Sequence, residues 1–75
     1  MINATITSVP HGHTLMMHYI HDARTDDFLA SYSSDRSGLK MYQIKRNGRI
    51  LSARRRFNSV DALLKFYGFK EEDAE

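Results

Sequence analysis

Basic side chains are concentrated in one stretch of the chain, between Arg36 and Arg56. Eight of the eleven Lys and Arg residues lie there, and no Asp or Glu interrupts them. Lys and Arg neutralise phosphate groups, and Arg also pairs with carboxylates and guanine edges through two hydrogen bonds at once. Because the net charge of the whole chain is only +2, the local clustering of charge, and not its sum, predicts a negatively charged partner.

The element that positions these side chains is predicted to be a β-hairpin. Asn47 and Gly48 separate two strand-like runs, residues 39–46 and 49–57. Both central residues of a type I′ turn have positive φ, which Asn and Gly tolerate best. A two-residue loop also fixes the register, which gives the facing pairs Arg46 with Arg49, Ile44 with Leu51, Tyr42 with Ala53, and Lys40 with Arg55.

Alternation along the two strands sorts the hairpin into two faces. The predicted core face carries Tyr42, Ile44, Leu51, Ala53 and Phe57. The other face is mainly basic and polar, and it carries Gln43, Lys45, Ser52, Arg54 and Arg56. Three apolar residues, Leu39, Met41 and Ile50, lie among them. The predicted binding residues are Gln43, Lys45, Arg46, Arg49, Arg54, Arg55, Arg56, Met41 and Ile50. The alternative is an ordinary solvated sheet face, on which long basic stems cover a few apolar side chains.

A helix is predicted after the hairpin. Four apolar residues recur there at helical spacing, namely Val60, Leu63, Leu64 and Tyr67. Asn58 or Ser59 provides the N-cap, and Gly68 is a suitable residue to end the helix in a left-handed conformation. This apolar stripe is predicted to pack on the core face of the sheet.

The sequence of the N-terminal half predicts further strands at residues 5–9, 15–20 and 28–32. A short helix over residues 26–33 is the competing interpretation of the third of these strands. The predicted fold is therefore α+β: an antiparallel meander of about four to five strands with one C-terminal helix packed on one face. Residues 1–69 form a single domain in this prediction, and residues 70–75 form a frayed acidic tail.

Histidines in the N-terminal half are the other candidates for chemistry: His11, His13, His18 and His21, with Asp22 beside the last. Imidazole and carboxylate groups bind first-row metals, but this spacing matches no established metal motif. We therefore predict exposed or hydrogen-bonded histidines, with no metal and no cofactor. We also predict that the protein is not an enzyme, because glycine-rich phosphate loops and nucleophile motifs are missing. A small ribonuclease that uses a histidine and an arginine is the alternative.

Size and composition predict one small globular domain. With 75 residues, of which 41% are hydrophobic, the chain is near the lower limit for a single core, so a homodimer that shares core area is compatible with it. The lack of cysteine suits a reducing compartment, and the first residues do not show a signal peptide. No window approaches the roughly 18 apolar residues of a membrane span. The expected location is the cytoplasm, without membrane contact.

Two segments resemble parts of known families. Residues 57–67 are similar to the last helix of SH2 domains, and residues 28–33 to their phosphate-binding strand. Ser31 stands where those domains carry the arginine that binds phosphotyrosine, and Met41 replaces the usual histidine, so phosphotyrosine binding is not predicted. Residues 39–69 are similar to the arm-binding domains of phage-type integrases, which implies DNA binding through the sheet. Neither resemblance identifies a family for the chain.

Two functional hypotheses follow from the basic hairpin. The first is a nucleic-acid-binding regulatory protein, in which Tyr32 or Tyr42 would stack on bases if exposed, although the register points Tyr42 towards the core. The second is a small protein-binding inhibitor or adaptor, of the kind that phages and mobile elements encode against host machinery. In that hypothesis the same arginines bind an acidic protein surface around an apolar centre of Leu39, Met41 and Ile50.

Overall fold

The computed structural model describes residues 1–72, and residues 73–75 of the predicted tail lie outside that range. Within the described range the chain forms seven strands and one helix. In chain order they are β1 (Ile2–His11), β2 (Leu15–Asp22), β3 (Phe28–Asp35), β4 (Gly38–Arg46), β5 (Arg49–Ser52), β6 (Arg56–Phe57), α1 (Val60–Tyr67) and β7 (Phe69–Glu71). The strands form one sheet of order β5-β4-β3-β2-β1-β7, with β6 paired to β4. The α+β class is confirmed, but the described chain has seven strands where the sequence predicted four to five.

The N-terminal strands are longer than the sequence predicted. β1 and β2 pair antiparallel from Ala4 opposite Asp22 to His11 opposite Leu15. The third strand extends to Asp35, and the competing interpretation of this segment as a helix is wrong. These strands continue through polar residues because backbone N–H and C=O groups pair with the neighbouring strand whatever side chain the residue carries.

The hairpin turn is confirmed. Asn47 and Gly48 have φ values of 51° and 76°, as the type I′ turn requires. Arg46 lies opposite Arg49, and Ile44 lies opposite Leu51, as predicted. The local turn chemistry therefore fixes the register close to the turn.

Further from the turn, the predicted second strand is interrupted. β5 ends at Ser52 and the chain pairs with β4 again at β6, where Lys40 lies opposite Arg56 and not opposite Arg55. Between the two strands the amide of Met41 donates to the carbonyl of Arg55 at 2.8 Å. The interruption shifts the register by one residue, so the predicted pairing of Lys40 with Arg55 is wrong.

A β-bulge at Tyr42 overturns the predicted faces of β4. Ser31 of β3 lies opposite Gln43, and the next β3 residue, Tyr32, lies opposite Met41, so that Tyr42 is the extra residue. Met41 is only 1% exposed and belongs to the core, whereas Tyr42 is 57% exposed. The predictions of Tyr42 in the core and of Met41 on the binding face are therefore both wrong. Leu39 likewise packs against the core.

The C-terminal helix follows its predicted signals. Ser59 is the N-cap, and its hydroxyl accepts a hydrogen bond from the amide of Ala62 at 3.2 Å. Gly68 ends the helix with a φ of 76°. Leu63 and Leu64 are buried in the core. No helix within residues 1–72 has the length and apolar character needed to cross a membrane.

The connection from β6 through α1 to β7 crosses one face of the sheet, from the β4 side to the β1 side. It ends with β7 parallel to β1, where Phe69 lies opposite Ile2. Lys70 and Glu71, which the sequence places in a frayed tail, are therefore strand residues. Glu72 continues this contact, because its amide donates to the carbonyl of Ala4 at 2.8 Å.

The sheet thus has two different faces. The helix face is the side on which α1 packs, and its core consists of Ala4, Ile20, Ala30, Tyr32, Met41, Ile44, Leu63, Leu64 and Phe69. The register places the following residues on the opposite side, which we name the open face: Thr7, Val9, His11, Leu15, Met17, Tyr19, Ser31, Ser33, Lys40, Tyr42, Gln43, Lys45, Ile50 and Ser52. Among residues 1–72, no helix and no second sheet covers the open face.

Candidate binding surface on the open face of the sheet

Tyr42 stands between two grooves on the open face. The first, the tyrosine groove, has a volume of about 300 Å³ and is lined by His11, Leu15, Met17, Tyr19, Ser33 and Tyr42. The second, the basic groove, has a volume of about 330 Å³ and is lined by Ser33, Lys40, Met41, Tyr42, Ser52, Ala53 and Arg54. Tyr42 and Ser33 belong to both grooves, so the two volumes are neighbours separated by one aromatic side chain.

Five adjacent strands, β1 to β5, bring the groove residues together. Met17 of β2, Ser33 of β3 and Lys40 of β4 lie side by side in register. One step along the same face, Tyr19 lies beside Ser31, and Ser31 lies beside Gln43. The bulge adds Tyr42 to this face between Lys40 and Gln43. A regular β4 would have buried Tyr42, so the bulge is what creates the wall between the grooves.

The charge of the open face is positive on the β4–β5 side. Lys40, Lys45 and Arg54 lie there, and no acidic residue occurs between Gly38 and Phe57. The nearest carboxylate in sequence is Asp35, at the end of β3. Its pKa is held below its usual range chiefly by hydrogen bonds from Ser37, with a smaller effect of the Arg56 charge. Asp35 therefore remains anionic near neutral pH and offsets part of the charge of Arg56.

The predicted binding residues are divided between the two faces. Gln43, Lys45 and Ile50 lie on the open face by register, and Arg54 lines the basic groove. Arg56 lies opposite Lys40, and its guanidinium is 3.5 Å from the hydroxyl of Ser37. These five residues therefore remain candidates for binding.

Three predicted arginines lie towards the helix face, as does the buried Met41. Arg46 and Arg49 flank the turn on the same side as Ile44 and Leu51. Arg55 lies over the ring of Phe66, with its guanidinium carbon 4.2 Å from the ring centroid. This is the geometry of a cation–π contact, so the side chain of Arg55 stabilises the helix surface.

Sequence analysis missed several residues of the grooves, above all Tyr19, Lys40 and Ser33. Side chains alternate along β2, with Met17 and Tyr19 on one face and Met16 and Ile20 on the other. Both faces of this strand are therefore apolar enough to suit a core. No local signal distinguishes which face the helix covers, because α1 comes more than thirty residues later. The position of Tyr19 on the open face can therefore be seen only in the assembled sheet.

A buried hydroxyl lies between the two tyrosine positions. Ser31 is fully buried, and its Oγ has no hydrogen-bond partner among the described residues. No element formed by residues 1–72 covers this face, so the burial of Ser31 comes from neighbouring side chains. An unpaired buried hydroxyl costs free energy in the folded chain.

The histidines do not form one cluster. On the helix face, the ring nitrogens Nδ1 and Nε2 of His18 lie 2.7 Å from the hydroxyls of Ser8 and Ser34, respectively. The ring also stacks on Tyr32, with centroids 4.4 Å apart, and burial lowers the pKa of His18. His11 and His21 lie on the opposite face. Within residues 1–72, no three His, Cys, Asp or Glu side chains are placed to hold a metal ion.

A further cavity, of about 460 Å³, lies at one end of the sheet between the β1–β2 and β3–β4 turns. Its lining includes His13 and Arg36 but also the anionic Asp35. Because opposite charges face this cavity and four of its nine lining residues belong to exposed turns, it is a weaker candidate than the two grooves around Tyr42.

Comparison of the chain with protein-family models, with curated proteins and with solved structures gave no match. The geometry of the open face is therefore the basis on which a function can be proposed.

Proposed function

We propose that this protein binds nucleic acid through the open face and acts as a small non-catalytic regulatory protein. The observation that carries the proposal is the position of Tyr42. It is an exposed aromatic ring on an uncovered sheet face, with Lys40 and Arg54 in the groove beside it. Lys45 extends the same positive surface along β4.

Each component of this surface has a defined use towards nucleic acid. Lys and Arg neutralise phosphates and release counterions, which supplies most of the sequence-independent affinity. Exposed aromatic rings stack on bases, and each stacked base contributes about 1–3 kcal/mol. Gln43, Ser33 and Ser52 add hydrogen-bonding groups beside the aromatic ring. The combination of charge and aromatic surface favours nucleic acid over a simple anion.

The protein-binding hypothesis has less support from the geometry. Its apolar centre consisted of Leu39, Met41 and Ile50, and the first two of these pack in or against the core. Ile50 remains, 56% exposed on the edge strand β5. We therefore retain an inhibitor or adaptor that binds an acidic protein as an outcome of the test below. The cysteine-free composition is compatible with the cytoplasm, which we propose as the location.

The test compares two adjacent arginines that project towards opposite faces. Arg54→Glu and Arg55→Glu change the net charge equally, but only Arg54 lines the basic groove. Fluorescence anisotropy with labelled DNA and RNA, at several salt concentrations, measures the slope of log K against log salt. We expect Arg54→Glu to reduce this slope by about 0.7–0.9, the contribution of one phosphate contact.

Arg55→Glu is the control and should retain the slope of the unaltered protein. It removes the contact with Phe66, which is worth about 0.5–1 kcal/mol of stability, so circular dichroism must first show that the variant is folded. No binding of DNA or RNA at low salt would overturn the proposal. Pull-down of an acidic protein that Arg54→Glu releases and Arg55→Glu retains would then support the protein-binding hypothesis instead.

A further inference from the structure

The two grooves around Tyr42 indicate which form of nucleic acid the open face accepts. We infer that the ligand is a single strand, and this inference rests on the proposed function. An unpaired base occupies the tyrosine groove, and the adjoining phosphate occupies the basic groove. Tyr42 stands between these two positions and stacks on the base. The structural reason is that one groove is apolar and aromatic while its neighbour is cationic.

The composition of the tyrosine groove suits a flat, partly apolar ring. Tyr19 and Tyr42 supply two aromatic side chains, and Leu15 and Met17 supply aliphatic and thioether surface. Its volume of about 300 Å³ is at the lower end of the range for small-molecule sites, roughly 300–1,000 Å³. The groove carries no Lys, Arg, Asp or Glu among its lining residues. Besides the polar side chains of His11 and Ser33, this groove therefore offers aromatic and aliphatic surface on which a base can stack.

The basic groove supplies what the tyrosine groove lacks. Lys40 and Arg54 line it, and Ser33, Ser52 and Tyr42 belong to the same lining. A phosphate and its sugar present anionic and hydroxyl groups to such a surface. Because Tyr42 belongs to both grooves, the base and the phosphate of one nucleotide unit can occupy them together.

The order of the two grooves across the sheet also separates the positions for bases from the positions for phosphates. The β1–β2 side of the open face carries Val9, Leu15, Met17 and Tyr19, whereas cationic residues lie on β4 and beyond. A single strand can turn its bases to the first side and its phosphates to the second. A duplex cannot, because its bases are stacked on one another and its phosphates lie on the outside. The open face therefore discriminates by the presence of unpaired bases.

The experiment uses the full chain with four labelled ligands: dT12, rU12, dT12 annealed to dA12, and rU12 annealed to rA12. At physiological salt we expect each single strand to bind more tightly than its own duplex. Tyr42→Ala should weaken binding of the single strands about 5-fold to 100-fold, the cost of losing one stacked base. The same variant should change duplex binding less than about 2-fold, because duplex binding uses only the charges.

Tyr42→Phe is the matched variant, because it removes the hydroxyl and keeps the ring. It should bind within about 2-fold of the unaltered protein. Tyr42 is exposed, so neither substitution is expected to prevent folding, and thermal unfolding checks this directly. The chain has four Tyr and no Trp, so quenching of tyrosine emission by dT12, present in the unaltered protein and reduced in Tyr42→Phe, reports stacking independently.

The outcomes separate this inference from the function on which it rests. Equal affinity for single strands and duplexes, with Tyr42→Ala binding normally and Arg54→Glu binding weakly, would overturn the single-strand inference and leave nucleic-acid binding intact. Failure of all four ligands to bind at low salt would overturn both. Tighter binding of either dT12 or rU12 supports the inference and identifies the sugar of the preferred strand.

Discussion

The two faces of the sheet both carry apolar side chains, but only one of them is covered. On the helix face, Leu63 and Leu64 of α1 pack with Ile20 and Met41 in a small core. On the open face, Met17, Tyr19 and Ile50 have no element above them within residues 1–72. Burial against α1 explains the apolar residues of the first face. Under the proposed function, a bound ligand would cover those of the second face.

Adjacent residues show how sharply the two faces differ. Met41 and Tyr42 are neighbours in β4, yet one is a core residue and the other is the central ring of the candidate surface. Arg54 and Arg55 repeat the pattern, with one in the basic groove and the other over Phe66. Neighbouring residues of an extended chain point to opposite sides in any case, and the bulge in β4 and the break between β5 and β6 determine which member of each pair faces the open side. The proposed binding surface therefore depends on two irregularities of strand pairing.

The largest expected effect is on stability, because substitutions on the two faces should lower the free energy of unfolding by different amounts. Met41→Ala should lower the free energy of unfolding by about 2–5 kcal/mol, because it removes a buried side chain from the core. Ile50→Ala, an apolar truncation on the open face, should change it by less than about 0.5 kcal/mol, since Ile50 is already exposed. Urea denaturation measures both. Equal losses for the two variants would contradict the assignment of the faces.

A smaller effect concerns the pH dependence of the helix face. Burial lowers the pKa of His18 in the folded chain, while the unfolded chain binds that proton near its ordinary pKa of about 6.5. Below that pH the unfolded state holds more protons, so the free energy of unfolding should fall as the pH decreases from 7 towards 5. The contribution is fully present above about pH 6.5.

His18→Gln is the variant that isolates this effect, because glutamine keeps both a donor and an acceptor for Ser8 and Ser34. We expect the variant to lose less stability than the unaltered protein between pH 7 and pH 5. Denaturation curves at each pH provide the comparison. A pH dependence as steep in His18→Gln as in the unaltered protein would show that His18 does not carry the effect.

Sequence signals that act over a few residues predicted the local structure well. Asn47 and Gly48 form the predicted turn, and Ser59 and Gly68 cap the helix as expected. Each of these signals depends on the conformations and hydrogen bonds available to one short segment. The register of Arg46 with Arg49 followed from the turn for the same reason.

Long-range pairing was the part that the sequence did not reveal. The bulge at Tyr42 arises where β4 pairs with β3, and no residue type in β4 marks it. β7 exists because Phe69 pairs with Ile2 at the opposite end of the chain. A one-residue slip moves every following side chain to the other face, so the candidate site could be predicted as a basic surface but not as the pair of grooves around Tyr42.

Methionine methyl groups test the central claim most directly, because they mark both faces. Met17 lines the tyrosine groove, whereas Met41 is in the core and Met16 lies on the helix face by register. With 13C-methyl methionine in the unaltered protein, titration with dT12 should shift the Met17 methyl signal most, through the ring current of a bound base, and leave Met16 nearly unchanged. Shifts concentrated at Met16, with Met17 unaffected under saturating dT12, would contradict the assignment of the open face as the binding surface.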